Sequence, residues 1–240
     1  SRGIEANPAK IRDLSQLAIP TDLKKIQKLN GFVAALSRFI SRLGEKALPL
    51  YRLLWRTGRF EWTDAAIAGL EEIKSILATN PILAAPNVSE PMLLYIAATH
   101  QVVSAVLVVE RETDGHKFPL QKRVYYVATI LTPCKSRYPH YQKIAYAVLM
   151  ASRKLRPYFQ ECALTVASEV PLNDIINNCD ATGRIAKWAI ELFPFDITYK
   201  PRRAVKSQVL ADFIAEWTEA ELPKEYARSP IGSCTSTTLK

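Results

Sequence analysis

The feature that most constrains this chain is a change of hydrophobic period at the stretch punctuated by Pro81, Pro86 and Pro91. Ahead of it, apolar residues recur every three or four positions; behind it they alternate or run continuously. The first part must therefore bury helix faces, and the second must build a sheet.

In the first part, Thr21-Asp22 supplies a helix cap, followed by apolar Leu23, Ile26 and Leu29 and by basic Lys24, Lys25 and Lys28. A second apolar stripe runs Phe32, Leu36, Phe39, Ile40, Leu43, and a third Leu48, Tyr51, Leu54, Trp55, closing at the turn Thr57-Gly58. Trp62-Thr63-Asp64 then caps a helix with Ile67, Leu70, Ile73, Ile76 and Leu77 on one face, which Asn80-Pro81 ends. Behind the break, Met92 to Ala97, Val102 to Val109 and Val124 to Ala128 read as three strands of a meander, with Thr113-Asp114-Gly115 as a turn. The order continues with a helix from Tyr138 to Phe159, a strand at Ala163 to Ala167 and a turn or helix from Pro171 to Asn177. A helix from Arg184 to Leu192, a strand at Asp196 to Tyr199 and a helix from Ser207 to Trp217 complete it. Three strands, helix, strand, helices, strand, helix is the order of an RNase H-like α/β fold, a five-stranded mixed sheet flanked by helices. The expected organisation is a linker over 1–18, an all-helical unit over 19–85, the α/β domain over 86–219 and a disordered tail over 220–240, where apolar periodicity is lost.

Charge narrows the partners. Thirty-two Lys and Arg against 23 Asp and Glu leave +9, which favours a polyanion. Most of the excess lies between Thr21 and Arg59, where nine cations face only Asp22 and Glu45. Arg38 with Arg42, and Arg52 with Arg56, are spaced to project from one helix face each, a pattern suited to phosphates. Arg184 with Lys187, beside Trp188, forms a smaller cluster; Trp188 falls on a core stripe with Ile185 and Leu192 and reads as packing. No run reaches the roughly 18 to 20 apolar residues of a membrane span, and no secretory leader is seen, so an intracellular protein is expected, in cytoplasm or nucleus. Cys134, Cys162, Cys179 and Cys234 are too scattered for a disulfide framework and read as reduced thiols. His100, His116 and His140 lack metal-ligand spacing. The chain begins at Ser1, which reads as a piece of a longer protein.

Several ordered stretches carry a family resemblance: Leu29-Asn30-Gly31-Phe32, Ser37-Arg38-Phe39-Ile40, Pro49-Leu50-Tyr51-Arg52-Leu53-Leu54 and Phe60-Glu61-Trp62-Thr63. Further on come Arg153-Lys154-Leu155-Arg156-Pro157-Tyr158, Gly183-Arg184-Ile185-Ala186-Lys187-Trp188 and Ala211-Asp212-Phe213. Together they resemble the thumb or connection region and RNase H-like domain of a gypsy-class LTR-retrotransposon polyprotein. The resemblance is greatest to plant elements whose original RNase H-like domain has decayed and been supplemented by a second one.

The resemblance implies four carboxylates holding two magnesium ions about 3.5 to 4 Å apart, because hard divalent cations need anionic oxygen ligands. In this chain the family's first Asp position is Ala97, within Ile96-Ala97-Ala98-Thr99. Its Glu position is Ile144, within Lys143-Ile144-Ala145-Tyr146-Ala147, and its second Asp position is Ser168, followed by Glu169. Only the last, Asp212, keeps a carboxylate. One carboxylate does not hold two metals, and Glu169, one residue along a strand end, is expected on the other face. No cofactor is therefore expected. The expected role is a degenerate RNase H-like domain acting as a structural connection that positions an RNA/DNA hybrid or primer-template duplex, alongside other domains of a parent polyprotein. Two alternatives are an active RNase H with two magnesium ions and a protein interaction module that binds no nucleic acid.

Overall fold

A computed structural model of the chain describes residues 3–55, 62–79, 81–112, 119–178 and 183–202. The expected turns at Thr57-Gly58 and Thr113-Asp114-Gly115, the helix from Ser207 to Trp217 and the tail lie outside these residues, as do Arg56, Asp212, His116, Cys179 and Cys234.

The N-terminal stretch expected as a linker is ordered. Strand β1 (Ile4–Glu5) pairs antiparallel with β2 (Ile82–Leu83), and helix α1 (Pro8–Ser15) buries Leu14. The local signal is Asn7-Pro8: the Asn7 side chain accepts from the Ala9 amide at 2.9 Å, and proline is well suited to a first helical turn. Helix α2 (Leu23–Ala35) starts at the expected cap, with Asp22 accepting from the Lys25 amide at 2.9 Å, and buries Ile26, Leu29, Asn30 and Val33. The second apolar stripe is not one helix. It breaks into a 3-10 turn at Ser37–Phe39 and a left-handed Arg42 with φ of 52° before α3 (Leu43–Trp55) begins. Helix α4 (Asp64–Ala78) is capped by Thr63, and the Trp62 indole donates to the Pro20 carbonyl, tying the starts of α2 and α4.

The sheet is built from β3 (Met92–Ala98), β4 (Val102–Arg111), β5 (Leu120–Ile130), β6 (Leu164–Ser168) and β7 (Ile197–Pro201) in the order β5-β4-β3-β6-β7. Pairing is antiparallel among β3, β4 and β5 and parallel from β3 through β6 to β7, as an RNase H-like fold requires. Between β5 and β6 lie α5 (Pro133–Ser136), α6 (His140–Lys154) and α7 (Arg156–Glu161); between β6 and β7 lie α8 (Leu172–Ile176) and α9 (Arg184–Leu192). The long helix expected from Tyr138 to Phe159 is interrupted at Leu155, because Pro157 has no N–H to continue the ladder. Strand β5 runs beyond the expected Val124 to Ala128, and a register shift opposite Leu107 and Val108 marks a bulge in it.

Two cores form. One lies between α6 and the sheet face carrying Met92, Leu94, Ile96, Leu107 and Val166; the other unites α1 to α4 around Ile26, Leu50, Ile73 and Leu77. The helical unit packs on the sheet's other face, where Tyr126 and Ala128 of β5 join its core. A Cβ at Gly44 would fall 2.4 Å from Cγ1 of Val102 and 3.4 Å from Cβ of Ala128, so glycine lets the start of α3 close on β4 and β5.

The connection from β2 to β3 is clamped. Arg111 donates from Nε and Nη2 to the Glu90 carboxylate at 2.8 Å each, and from Nη2 to the Ala85 carbonyl at 2.7 Å. The hydrogen bond from Arg111 holds the Glu90 carboxyl below the ordinary carboxylate range, against the opposing effect of desolvation. A depressed carboxyl contributes stability that is full above its unfolded value and is lost as pH falls through its folded one. Glu90→Gln is therefore expected to flatten the acid limb of a melting-temperature profile below about pH 4; a profile parallel to wild type would contradict the clamp.

Candidate functional site

Of the three described positions where the resemblance places family carboxylates, Ile144 and Ser168 lie on the α6 side of the sheet and Ala97 on the other. Ala97 and Ser168 lie at the C-terminal ends of the neighbouring parallel strands β3 and β6, where Tyr95 is already level with Ala167. Ser168 alternates in phase with Leu164 and Val166, is 2% exposed, and its Oγ accepts from the Val170 amide at 3.0 Å. Ala97 points the opposite way, among Tyr95, Val106 and Val108. Ile144, in the second turn of α6, has no exposed surface and packs in the core between α6 and the sheet. Beside it Lys143 is buried, its Nζ donating to the His100 carbonyl at 3.2 Å, and burial pushes its pKa down. This anchors α6 to the turn that follows β3.

Glu169 is committed elsewhere. Its carboxylate meets Nε2 of His140 at 2.7 Å and Nη2 of Arg202 at 3.3 Å, linking the start of α6 to the ends of β6 and β7. Nothing in the local sequence around His140 signals this contact, which joins residues 29 positions apart. Among the described residues, no group of three or more His, Cys, Asp or Glu side chains is placed to hold a metal ion. Cys134 is exposed and Cys162 buried, both unpaired as disulfides. No described helix is long and apolar enough to cross a membrane.

The basic residues separate into surface cations and seam cations. Lys24, Lys25 and Lys28 are exposed on α2; Lys25 faces Asp22 at 3.5 Å, and Lys28 lies 5.9 Å from the Phe32 ring centroid. Arg38 and Arg42, expected on one helix face, share no helix, since the left-handed turn at Arg42 separates them from α3. The Arg38 guanidinium stacks 4.7 Å from the Tyr125 ring centroid, with Nε and Nη2 buried and without a hydrogen-bond partner among the described residues. Arg42 is held by Glu45, donating from Nε at 2.7 Å. Arg52 donates to Oε1 of Gln101 at 2.7 Å, reaching from α3 to the β3–β4 turn. Arg38 and Arg52 thus reach from the helical unit to the sheet and its β3–β4 turn, while Arg42 is paired within the helical unit. Arg184 and Lys187 are exposed on α9, and the Arg184 guanidinium lies 4.3 Å from the Tyr138 ring centroid. Trp188 packs, as expected, 6.1 Å from Tyr138 and 5.6 Å from Tyr146.

With this geometry in place, residues 62–166 match the family model of the RNase H-like domain found in reverse transcriptase. Residues 62–166 therefore resemble a domain of that class, and most of the chain is similar to part of larger transposon polyproteins. It is 25% identical over 228 residues to the retrovirus-related Pol polyprotein from transposon opus of Drosophila melanogaster, covering 89% of this chain and 22% of that protein. To the transposon Tf2-3 polyprotein of Schizosaccharomyces pombe it is 26% identical over 216 residues, covering 86% of this chain and 16% of that one. The chain therefore spans about a fifth of the length of these curated relatives. Its fold is similar to that of the foamy viral protease-reverse transcriptase solved in complex with an RNA/DNA hybrid, with a TM-score of 0.65 and 16% identity over 98% of this chain and 30% of that one.

Proposed function

We propose that the chain is the thumb or connection region and RNase H-like domain of a gypsy-class retrotransposon polyprotein of the plant type, and that this domain is catalytically degenerate. In this reading it is a structural connection that helps hold a template-primer duplex or RNA/DNA hybrid for neighbouring domains. The observation that carries it is Ile144: the position where the family bears its Glu is an isoleucine with no exposed surface, inside the core beneath α6. Ala97 and Ser168 at two Asp positions support the same conclusion, leaving Asp212 as the one family carboxylate in the sequence. Two magnesium ions bring about four positive charges, and a single carboxylate does not balance them. Alanine, isoleucine and serine remove the mutual repulsion that clustered carboxylates suffer without metal.

Nucleic-acid binding rests on the exposed lysines of α2 and the cations of α9, with affinity set by phosphate contacts and weakened by salt. The fold's likeness to a reverse transcriptase captured on a hybrid supports that partner. The test is hydrolysis of a labelled RNA/DNA hybrid in magnesium and in manganese by the 240-residue chain. The expected result is no cleavage above the protein-free control. Cleavage that Asp212→Asn abolishes would restore the active RNase H reading.

A further inference from the structure

The ring cluster at the meeting of α5, α6 and α9 carries cations in fixed places. Tyr138, Tyr146 and Trp188 pack mutually, with centroids 5.6 to 6.4 Å apart. Arg184 lies over Tyr138 at 4.3 Å, and Lys135 lies over Tyr146 at 4.6 Å while donating to its hydroxyl at 2.7 Å. Lys187 is exposed one turn beyond Arg184 on α9. Many other cations of the molecule are spent on carboxylates: Arg42 on Glu45, Lys46 on Glu72, Arg111 on Glu90, Arg153 on Glu191 and Arg202 on Glu169. Among the described residues, Arg184, Lys187 and Lys135 have no carboxylate within ion-pair distance. The one hydrogen bond of the Arg184 side chain among the described residues is a long one, 3.5 Å to Oε1 of Gln142. Stacking on the ring restrains the guanidinium, so less rotamer entropy is lost when its planar N–H edge engages an anion.

We propose that Arg184, Lys187 and Lys135 form a preorganised clamp for the sugar-phosphate backbone of one nucleic-acid strand, with Tyr138 as the positioning residue for Arg184. The clamp rests on the nucleic-acid reading above and adds the chemistry it grips. Backbone, not bases, is the ligand, because the rings offer no open platform: Tyr146 is 5% exposed, Trp188 packs between the tyrosines, and Arg184 covers Tyr138. Phosphate contacts of this kind bind without sequence preference.

The experiment is fluorescence anisotropy of the full chain with a labelled RNA/DNA hybrid over a series of salt concentrations. Arg184→Ala is expected to weaken binding about fivefold to tenfold and to lower the slope of log affinity against log salt by about one unit. Arg184→Lys keeps the slope but recovers only part of the affinity, because the charge remains and the stacked plane is lost. Tyr138→Leu weakens binding by most of the Arg184→Ala factor, and the double variant weakens it no further. A fully additive double variant, unchanged binding by Arg184→Ala, or a more than about threefold preference between two hybrids of scrambled sequence would overturn the clamp. If these variants bind like wild type while charge reversal on α2 abolishes binding, the clamp falls and the proposed function stands. If the wild-type chain binds no hybrid at low salt, both fall.

Discussion

Ile144→Glu is expected to lower the melting temperature of the chain by about 10 °C or more, an effect of about 3 to 5 kcal/mol in a domain of this size. The side chain at 144 has no exposed surface and is surrounded by the core residues of α6 and the sheet. A carboxylate there must be desolvated without a partner, since the neighbouring Lys143 ammonium is turned to the His100 carbonyl. Protonation relieves the penalty, so the gap to wild type is expected to narrow toward acid pH. Ile144→Val, which keeps shape and polarity, is expected to cost only about 0.5 to 1.5 kcal/mol. Thermal melts with and without 10 mM-scale magnesium separate the two readings of the domain. The degenerate reading expects no magnesium-dependent recovery of Ile144→Glu. Recovery of most of the lost stability by magnesium would mean that the restored carboxylate completes a metal centre.

The second large effect concerns binding. Changing Lys24, Lys25 and Lys28 together to glutamate lowers the formal charge from +9 to +3 and reverses the exposed side of α2. Hybrid affinity at low salt is expected to fall by about a hundredfold or more, and the salt slope by about three units if each lysine meets one phosphate. The fold should survive. The three positions are exposed, the Asp22 cap bonds the backbone amide of residue 25, and the lost Lys25–Asp22 pair is a surface one. A melting temperature within a few degrees of wild type, with binding unchanged, would contradict a role for α2 and favour a protein interaction module. Reversing Arg38, Arg42 and Arg52 would make a poorer test. Arg38 stacks on Tyr125 of β5, Arg42 holds Glu45 and Arg52 reaches Gln101, so lost binding and lost folding would be confounded.

Particular elements show why part of this was legible before any coordinates. Helix α9 and the start of β3 fall where apolar spacing puts them, since local periodicity and turn chemistry act over a few residues. The five-stranded order follows from the element order and the resemblance. The first errors arise where one residue overrides a pattern. Pro157 splits the expected long helix, the left-handed Arg42 splits the second apolar stripe, and Asn7-Pro8 starts a helix in a supposed linker. The shared helix face expected of Arg38 and Arg42 failed for a different reason: equal spacing along a chain does not show where a helix breaks or which side chains meet a ring or a carboxylate.

Sequence patterning by itself determined that helices precede a sheet and that the excess charge gathers in the first part, while the family resemblance, not patterning, is what implies carboxylate positions at Ala97, Ile144 and Ser168. Only the tertiary structure decided that Ile144 is sealed in the core, that Glu169 is bound to His140 and Arg202, and that Arg38 and Arg52 reach from the helices to Tyr125 and Gln101. It also decided that Arg184 stands on the Tyr138 ring. The reason is range. Period and capping are properties of neighbouring residues, whereas burial and most of these pairings depend on which distant segments the fold brings within a few ångströms.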